Sequence, residues 1–372
     1  MSKAKDIFKT VMDYYYILPF KVGRKINPKF NNEIASVICS QYQKISHCFT
    51  TLKCRPIEAI QLTLLNFQVD TKKKIAIILQ GPPDYKDNFT FETIKMYRKL
   101  FPESVLILST WKNVSNEYIS SIKKLDCVVV LNEQPPYTGI GNVNLQVLST
   151  LSGLKKAKEL GCAFAMKTRT DQRIYKASTC SFLLGLIRTF PSECEDQQGR
   201  IVVLQGSTGC MFIPYYIADF FYFGMIDDML KLFSRKLSDK QFSDRKEMDK
   251  FDMELAEKYP IGQALHYCAP QNFIMESYAK QIGFSIDGSV KQYWDFVKKS
   301  LICISVSQID LFWRKYSLNI FENTWSHEFE FGDSEDQLLT YNWTFENWLS
   351  LVSGEIKYDS KYEEYKLRKR VM

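Results

Sequence analysis

Between residues 72 and 175, short apolar runs alternate four times with segments of helical spacing. The runs are IAIIL, VLILSTW, CVVVL and AFAM, and they are apolar nearly throughout instead of alternating with polar residues. Strands of this kind are buried on both faces, and long crossovers between them require parallel pairing. The pattern therefore predicts an α/β fold, with a mostly parallel, Rossmann-like sheet and helices on both faces.

The same pattern sets the predicted domain boundaries. Residues 71–290 form the predicted α/β domain, residues 1–70 a helical N-terminal extension, and residues 291–372 an aromatic-rich, helical C-terminal region. The extension contains FKTVMDYYYILPFKVGRK, an aromatic stretch flanked by Lys and Arg. This stretch either packs as a helix on the main domain or lies at a membrane surface.

Composition and charge indicate the cellular compartment and the classes of partner to expect. The net charge of +7 favours anionic partners, but the basic residues are scattered and no nucleic-acid-binding signature is present. No signal-peptide pattern or membrane-spanning apolar run occurs, and the ten cysteines never form a C-x-x-C pair. We expect a cytoplasmic protein, at the inner face of the cytoplasmic membrane, that does not bind nucleic acid.

Polar residues follow the predicted strands, where ligands of open α/β sheets bind. The predicted donor-binding residues at these strand ends are Gln80, Gly81, Ser109, Thr110, Trp111, Lys167, Arg169 and Arg173. Asn144, at the start of the helix after the third strand, is predicted to face the same edge, and Gln146 lies beside it. The sequence has neither a G-x-G-x-x-G nor a P-loop motif, so these residues do not form a dinucleotide-type Rossmann site.

The fourth strand ends in a cluster of charges, with Lys167, Arg169, Asp171 and Arg173 inside MKTRTDQR. Unpaired charges at the end of a buried strand are costly, so this cluster predicts an anionic or metallic ligand. Asp171 either coordinates Mg²⁺ or Mn²⁺ bridging a diphosphate, or forms a salt bridge between the two arginines. In a third alternative, the cations neutralise the phosphates without a metal.

Acidic residues further along the chain are candidates for a catalytic base. Asp219, Asp227 and Asp228 lie in the aromatic stretch IADFFYFGMIDDM, where apolar surroundings raise a carboxyl pKa. Glu276 lies in PQNFIMESY. The alternatives are a helix cap for Asp227 or Asp228 and a surface helix position for Glu276.

Five stretches, in this order, together resemble the WavE lipopolysaccharide synthesis family of bacterial proteins: ILQGP (78–82), YRKLFPESVLILSTWK (97–112), NVNLQVLSTLSGLKKAKELG (142–161), MKTRTDQRIY (166–175) and ADFFYFGMIDDMLKLF (218–233). The resemblance implies a GT-A-like fold, transfer of a sugar from a nucleotide-sugar donor, and a role in building lipopolysaccharide or surface polysaccharide. The matched positions that it carries over are Gln80, Gly81, Arg169, Asp171, Arg173, Asp219 and Asp228.

The predicted function is that of a glycosyltransferase. It moves a sugar from a nucleotide sugar to a hydroxyl of a growing lipopolysaccharide or capsular polysaccharide, with a glycan or lipid-linked glycan as acceptor and Mg²⁺ or Mn²⁺ as the candidate metal. One alternative is a non-catalytic nucleotide- or carbohydrate-binding subunit of a polysaccharide assembly complex. Another is a peripheral membrane scaffold that uses the N-terminal aromatic stretch.

Overall fold

A computed structural model of the chain describes residues 55–61, 74–205, 209–315 and 342–367, together with parts of 36–44. The chain divides into two compact units, Met1–Pro56 and Ile57–Met372. The aromatic stretch predicted to contact a membrane surface lies outside the described residues. All strands and helices named here belong to the second unit.

Seven strands form the main sheet, in the order β3-β2-β1-β4-β7-β6-β8, and two form a small second sheet. The strands are β1 (Ile75–Gln80), β2 (Val105–Trp111), β3 (Cys127–Asn132), β4 (Phe164–Arg169), β5 (Gln172–Ile174), β6 (Ile201–Gln205), β7 (Tyr222–Met225), β8 (Leu301–Ser305) and β9 (Leu311–Trp313). In the main sheet β7 runs antiparallel to its neighbours β4 and β6, while the other pairs are parallel. The prediction of a mostly parallel α/β sheet is therefore confirmed.

Helices flank the main sheet. They are α1 (Phe89–Leu100), α2 (Asn116–Lys123), α3 (Val143–Glu159), α4 (Thr179–Thr189), α5 (Ile226–Phe233), α6 (Arg245–Lys258), α7 (Ile261–Cys268), α8 (Pro270–Gln281), α9 (Val290–Ser300), α10 (Val306–Ile309), α11 (Phe345–Ser353) and α12 (Tyr362–Tyr365). Within the described ranges, none combines the length and apolar character required to cross a bilayer.

The two faces of the sheet are covered by different helices. On one face α3 packs so closely that a Cβ on Gly153 would lie 2.6 Å from the side chain of Ile78. On the other face Tyr97 of α1 bonds to the side chain of Thr168. Since Lys167 precedes Thr168 in β4, its side chain points to the α3 face. The strands β1, β6 and β8 are buried along their whole length.

Two elements differ from the sequence-based expectation. The aromatic segment YYIADFFYFGMIDDMLKLFSRKL, residues 215–237, has a sequence that favours a helix or broken helix, but it forms the short strand β7 before α5 begins at Ile226. Aromatic side chains are compatible with a buried strand as well as with a helix, so their spacing in the sequence does not distinguish the two structures. The C-terminal region, expected to be helical, contributes β8 to the main sheet and β9 to the small one.

Candidate functional site

The carboxyl ends of β1, β2 and β4 meet at one edge of the sheet. Gln80 is paired with Ser109 on one side and with Arg169 on the other. The next residue, Gly81, has a φ of +113° and donates its backbone N–H to the Ser109 carbonyl at 3.1 Å. A Cβ there would lie 3.3 Å from Thr170 Oγ1, so the chain turns where glycine fits best.

The polar side chains that end β1 and β2 mainly hold the sheet to α3. Ser149 Oγ donates to Gln80 Oε1 at 3.0 Å, and Ser109 Oγ donates to the Ser149 carbonyl at 2.6 Å. Thr110 behaves differently, since its buried hydroxyl has no hydrogen-bond partner among the described residues. Trp111, which ends β2, is also buried. Within the described ranges, the Thr110 hydroxyl is therefore a buried group at this edge with unused hydrogen-bonding capacity.

Lys167 is a fully buried cation at this edge. Its Nζ donates to the backbone carbonyl of Asp219 at 2.6 Å and lies 5.6 Å from the centre of the Tyr222 ring. Burial lowers the pKa of Lys167 to about 7, although the charges of Asp219 and Asp171 oppose that shift. Lys167 therefore fixes the backbone at Asp219 from inside the protein.

Arg169 and Asp171 form a two-point ion pair beside Trp313. The Arg169 Nε donates to Asp171 Oδ1 at 2.9 Å and Nη2 donates to Oδ2 at 3.1 Å. The indole N–H of Trp313, in β9, donates to Oδ2 at 3.0 Å, and the guanidinium lies 5.2 Å from the Trp313 ring centre. Although burial opposes the shift, these donors and the Arg169 charge lower the pKa of Asp171, so the carboxylate stays ionised.

The contacts of Asp171 do not fit the predicted Mg²⁺ or Mn²⁺ ligand. Both carboxylate oxygens already accept hydrogen bonds from Arg169, and Oδ2 accepts a second one from Trp313. A divalent cation bound to the same oxygens would displace a cation that is held at two points. In the described part of the chain, no three His, Cys, Asp or Glu side chains converge as a metal-binding group.

The structure buries Arg173 beneath α1 instead of presenting it at the strand ends. Its guanidinium donates to Thr93 Oγ1 at 2.9 Å, to the Ile57 carbonyl at 2.7 Å and to the Phe89 carbonyl at 3.0 Å. It also lies 4.3 Å from the centre of the Phe89 ring. These contacts give Arg173 a part in joining β5 to α1.

Three buried side chains fix the segment that carries Asp219. Besides Lys167, Gln146 Nε2 donates to the Asp219 carbonyl at 2.6 Å, and Gln205 Oε1 accepts the Ala218 N–H at 3.3 Å. The Asp219 side chain is half-buried. Among the described residues, no cation lies within ion-pair distance of its carboxylate. Asp219 is thus a carboxylate held on a fixed backbone next to Lys167.

Asp228 lies at the opposite edge of the sheet. Because β7 is antiparallel to β4, Tyr222 is paired with Lys167 at the carboxyl edge and Met225 with Phe164 at the amino edge. Asp228 follows Met225 in α5 and is fully buried, and its carboxylate accepts the backbone N–H groups of residues 198 and 199. Although those bonds oppose it, burial raises the pKa of Asp228. The structure separates this predicted base from Asp219.

Two further predicted residues are held by contacts of their own. Glu276 of α8 bonds to Nδ1 of His266 at 2.7 Å, and this bond raises the pKa of the histidine. Asn144 of α3 donates to the carbonyls of Tyr137 and Ser238 at 2.9 and 2.8 Å and accepts the Ser238 N–H at 2.7 Å. Asn144 therefore ties two loops to the start of α3.

Sequence reasoning missed Trp313 and Arg314. The Arg314 backbone N–H donates to the Asp171 carbonyl at 3.1 Å, and its guanidinium bonds to the Lys86 carbonyl and the Asp87 carboxylate on the loop after β1. These contacts fix that loop beside the ion pair. The signal was LFWRK, an apolar run stopped by cations, which is the pattern that singled out FAMKTR.

The mostly parallel sheet with helices on both faces defines an open-sheet α/β protein, a class in which ligands bind at the carboxyl ends of the strands. The profile of the family described as WavE lipopolysaccharide synthesis matches residues 75–370. The chain therefore belongs to the WavE lipopolysaccharide synthesis family.

Solved structures with weak similarity include two sugar-related proteins. One, from Bacillus anthracis, carries the provisional name glucose-1-phosphate thymidylyltransferase and was solved with sucrose. Its sequence identity to this chain is 11% and the TM-score is 0.32, and the match covers 71% of this chain and 98% of that one. The other is described as mannose-1-phosphate geranyltransferase from Thermus thermophilus, with 13% identity, a TM-score of 0.26, and coverage of 63% and 74%. These low TM-scores carry no argument about activity. No curated protein matches the chain.

Proposed function

We propose that this protein is a GT-A-like glycosyltransferase that moves a sugar from a nucleotide-sugar donor to a hydroxyl of a growing lipopolysaccharide or capsular polysaccharide. The proposed acceptor is a glycan or lipid-linked glycan at the inner face of the cytoplasmic membrane. Membership of the WavE lipopolysaccharide synthesis family supports a role in building lipopolysaccharide. The geometry of the strand ends supports the chemistry.

The observation that carries the proposal is the placement of Asp219 beside the Arg169–Asp171 pair. Lys167 donates to the Asp219 carbonyl at 2.6 Å, and the ring of Phe220, the next residue, lies 5.0 Å from the Trp313 ring that also contacts Arg169, so these groups share one edge of the sheet. Transfer from a nucleotide sugar requires a cation for the departing diphosphate and a base for the attacking hydroxyl. Arg169 supplies the first and Asp219 the second.

The proposed reaction is a single displacement. The Asp219 carboxylate takes the proton of the acceptor hydroxyl as its oxygen bonds to the anomeric carbon of the donor sugar. The bond from that carbon to the diphosphate oxygen breaks, and its electron pair leaves with the nucleoside diphosphate. Arg169 offsets the charge that develops on this leaving group. Gly81 lets the backbone approach the nucleotide closely.

The first test is a donor panel. The purified full chain is incubated with nucleotide sugars that differ in base and sugar, and thermal stabilisation and release of nucleoside diphosphate are measured. We expect at least one donor to raise the melting temperature, because ligand that binds only the folded state stabilises it. That donor should also be hydrolysed slowly. If no donor stabilises the protein or is turned over, the proposal is wrong.

The second test compares two acids from the same segment. Asp219→Asn should lower turnover by about 100-fold or more while donor affinity is retained, because a general base contributes factors of this size. Asp227→Asn is the matched control. Its exposed side chain pairs with Lys158 at the other edge of the sheet, so donor turnover should not change. Equal losses in both variants would contradict the role of Asp219.

A non-catalytic nucleotide- or carbohydrate-binding subunit is the second candidate. It is favoured by the Asp171 contacts, since both oxygens of that carboxylate already accept hydrogen bonds within the protein. This candidate predicts stabilisation by a nucleotide sugar without turnover, even when a lipid-linked or polysaccharide acceptor is supplied. The donor panel with acceptor therefore distinguishes the two functions.

A further inference from the structure

We infer that the donor site binds the diphosphate of its nucleotide without a divalent metal, and that Asp171 and Trp313 are positioning residues for Arg169. This inference rests on the proposed function, because it concerns the same strand ends. It replaces the metal-ligand role predicted for Asp171 with a role in orienting a cation. The ligand class is a nucleoside diphosphate.

The ion pair with Asp171 holds the Arg169 guanidinium at two points. Two nitrogens of Arg169 meet two oxygens of Asp171, at 2.9 and 3.1 Å. A two-point contact fixes the plane of a guanidinium, which a single contact does not. The side chains of this pair are one-third and one-fifth exposed, so the guanidinium is fixed at a partly open position that a phosphate can reach.

Strand β9 supports both members of this ion pair through Trp313. Trp313 donates its indole N–H to Asp171 Oδ2, and its ring centre lies 5.2 Å from the Arg169 guanidinium and 5.0 Å from the Phe220 ring centre. The pairing of Trp313 with Gln172 in the small sheet fixes the backbone beneath the indole. Trp313 therefore holds the carboxylate through one atom and the guanidinium through its ring.

The charge balance around Arg169 and Asp171 favours an anionic ligand over a divalent cation. At this edge the Arg169–Asp171 pair is internally neutral, and Arg314 is likewise paired with Asp84 and Asp87 on the loop after β1. A metal at Asp171 would break the first pair and place a divalent cation beside Arg169. An anionic diphosphate instead adds a favourable contact to a guanidinium that already has a fixed plane.

The inference is tested by calorimetric titration of nucleoside diphosphates with different bases into the full chain. Each titration is run in EDTA and again in millimolar Mg²⁺ or Mn²⁺. We expect the Kd of the preferred nucleotide to differ by less than about threefold between the two conditions, which is under 1 kcal/mol. A Kd that is weaker in EDTA by more than about threefold and is restored by metal overturns this inference and leaves the proposed function standing. Absence of binding in both conditions overturns both.

Variants then test the positioning roles. The readout is the ratio of affinities for a nucleoside diphosphate and its monophosphate, because a general loss of structure weakens both ligands alike. Arg169→Lys should reduce this ratio by about tenfold, and Asp171→Asn and Trp313→Phe by smaller factors, since each loosens the two-point geometry. Asp227→Asn is the matched control, because it removes an exposed ion pair with Lys158 at the other edge of the sheet. An unchanged ratio in both Asp171→Asn and Trp313→Phe overturns the positioning roles.

Discussion

The ammonium group of Lys167 lies 2.6 Å from the backbone carbonyl oxygen of Asp219, in a position without solvent access. This contact joins the end of β4 to the segment that enters β7. Gln146, in α3, donates to the same carbonyl, so side chains from β4 and α3 both hold the Asp219 peptide group. The position of the Asp219 backbone thus depends on two buried side chains, those of Lys167 and Gln146.

Lys167→Met removes this hydrogen bond and keeps an unbranched side chain of similar size. We expect kcat of the transfer reaction to fall by about tenfold or more, with little change in the KM for the donor, because small displacements of a reacting group are costly. Lys158→Met, at an exposed position on the other edge, is the control. An unchanged kcat in Lys167→Met would show that the contact does not position Asp219.

The same lysine should make folding stability depend on pH. An unfolded lysine titrates near pH 10.4, whereas burial lowers the pKa of Lys167 to about 7. Between these values the unfolded chain binds more protons than the folded one, so the contribution of Lys167 to stability rises with pH. Below pH 7 both states are protonated and the full cost of burying the charge is present.

Urea denaturation of the wild type and of Lys167→Met at several pH values measures this contribution. The difference between the two free energies of unfolding isolates Lys167 from other titrating groups. Above neutral pH, the wild type should gain up to about 1.4 kcal/mol per pH unit relative to the variant. A difference that stays constant with pH would contradict the prediction.

Arg173 should stabilise the fold without contributing to ligand binding. Arg173→Lys keeps a positive charge but cannot reach the Thr93, Ile57 and Phe89 oxygens together. We expect the free energy of unfolding to fall by about 3 kcal/mol, because buried acceptors lose their donors. Nucleotide affinity of the folded protein should not change, and Arg188→Lys, exposed on α4, is the control. Weaker nucleotide binding without a loss of stability would restore Arg173 as a diphosphate ligand.

Gly81 should tolerate a side chain poorly. In Gly81→Ala the backbone keeps a positive φ, at a cost of about 1–2 kcal/mol, and the new methyl group presses on Thr170 Oγ1. That hydroxyl donates to the Pro82 carbonyl at 2.6 Å, so the loop after β1 shifts. In Gly161→Ala, φ is +73° and no atom lies within 4 Å, so only the backbone cost applies. Chemical denaturation and nucleotide titration should show the larger loss in Gly81→Ala.

The parallel strands β1 to β4 could be predicted because each one is marked by residues that are adjacent in the sequence. Each of β1 to β4 is an apolar run with a clear end, and the helices between them have regular spacing. The strand β7 was missed because four residues in an aromatic stretch do not distinguish a strand from a helix. The strands β8 and β9 pair with residues more than 90 positions earlier in the chain, which no local pattern reports.

For the candidate site, too, local features were predictable from the sequence and contacts between distant residues were not. The charges after β4 and the glycine after β1 were found because they end strands. Asp219 and Asp228 were indistinguishable in sequence, since the antiparallel direction of β7 places one at each edge. Burial of Arg173 and pairing of Asp171 depend on α1 and on Trp313, which approach only in the folded chain.

The contact between Asp171 and Trp313 spans 142 residues of sequence. During synthesis, β1 to β4 leave the ribosome long before β9, so Arg169 and Asp171 exist for a time without the indole that holds them. The strand ends therefore acquire their final geometry only when the C-terminal quarter of the chain has folded back. A nascent or truncated chain ending before Trp313 would possess most of the sheet yet lack a finished ligand site.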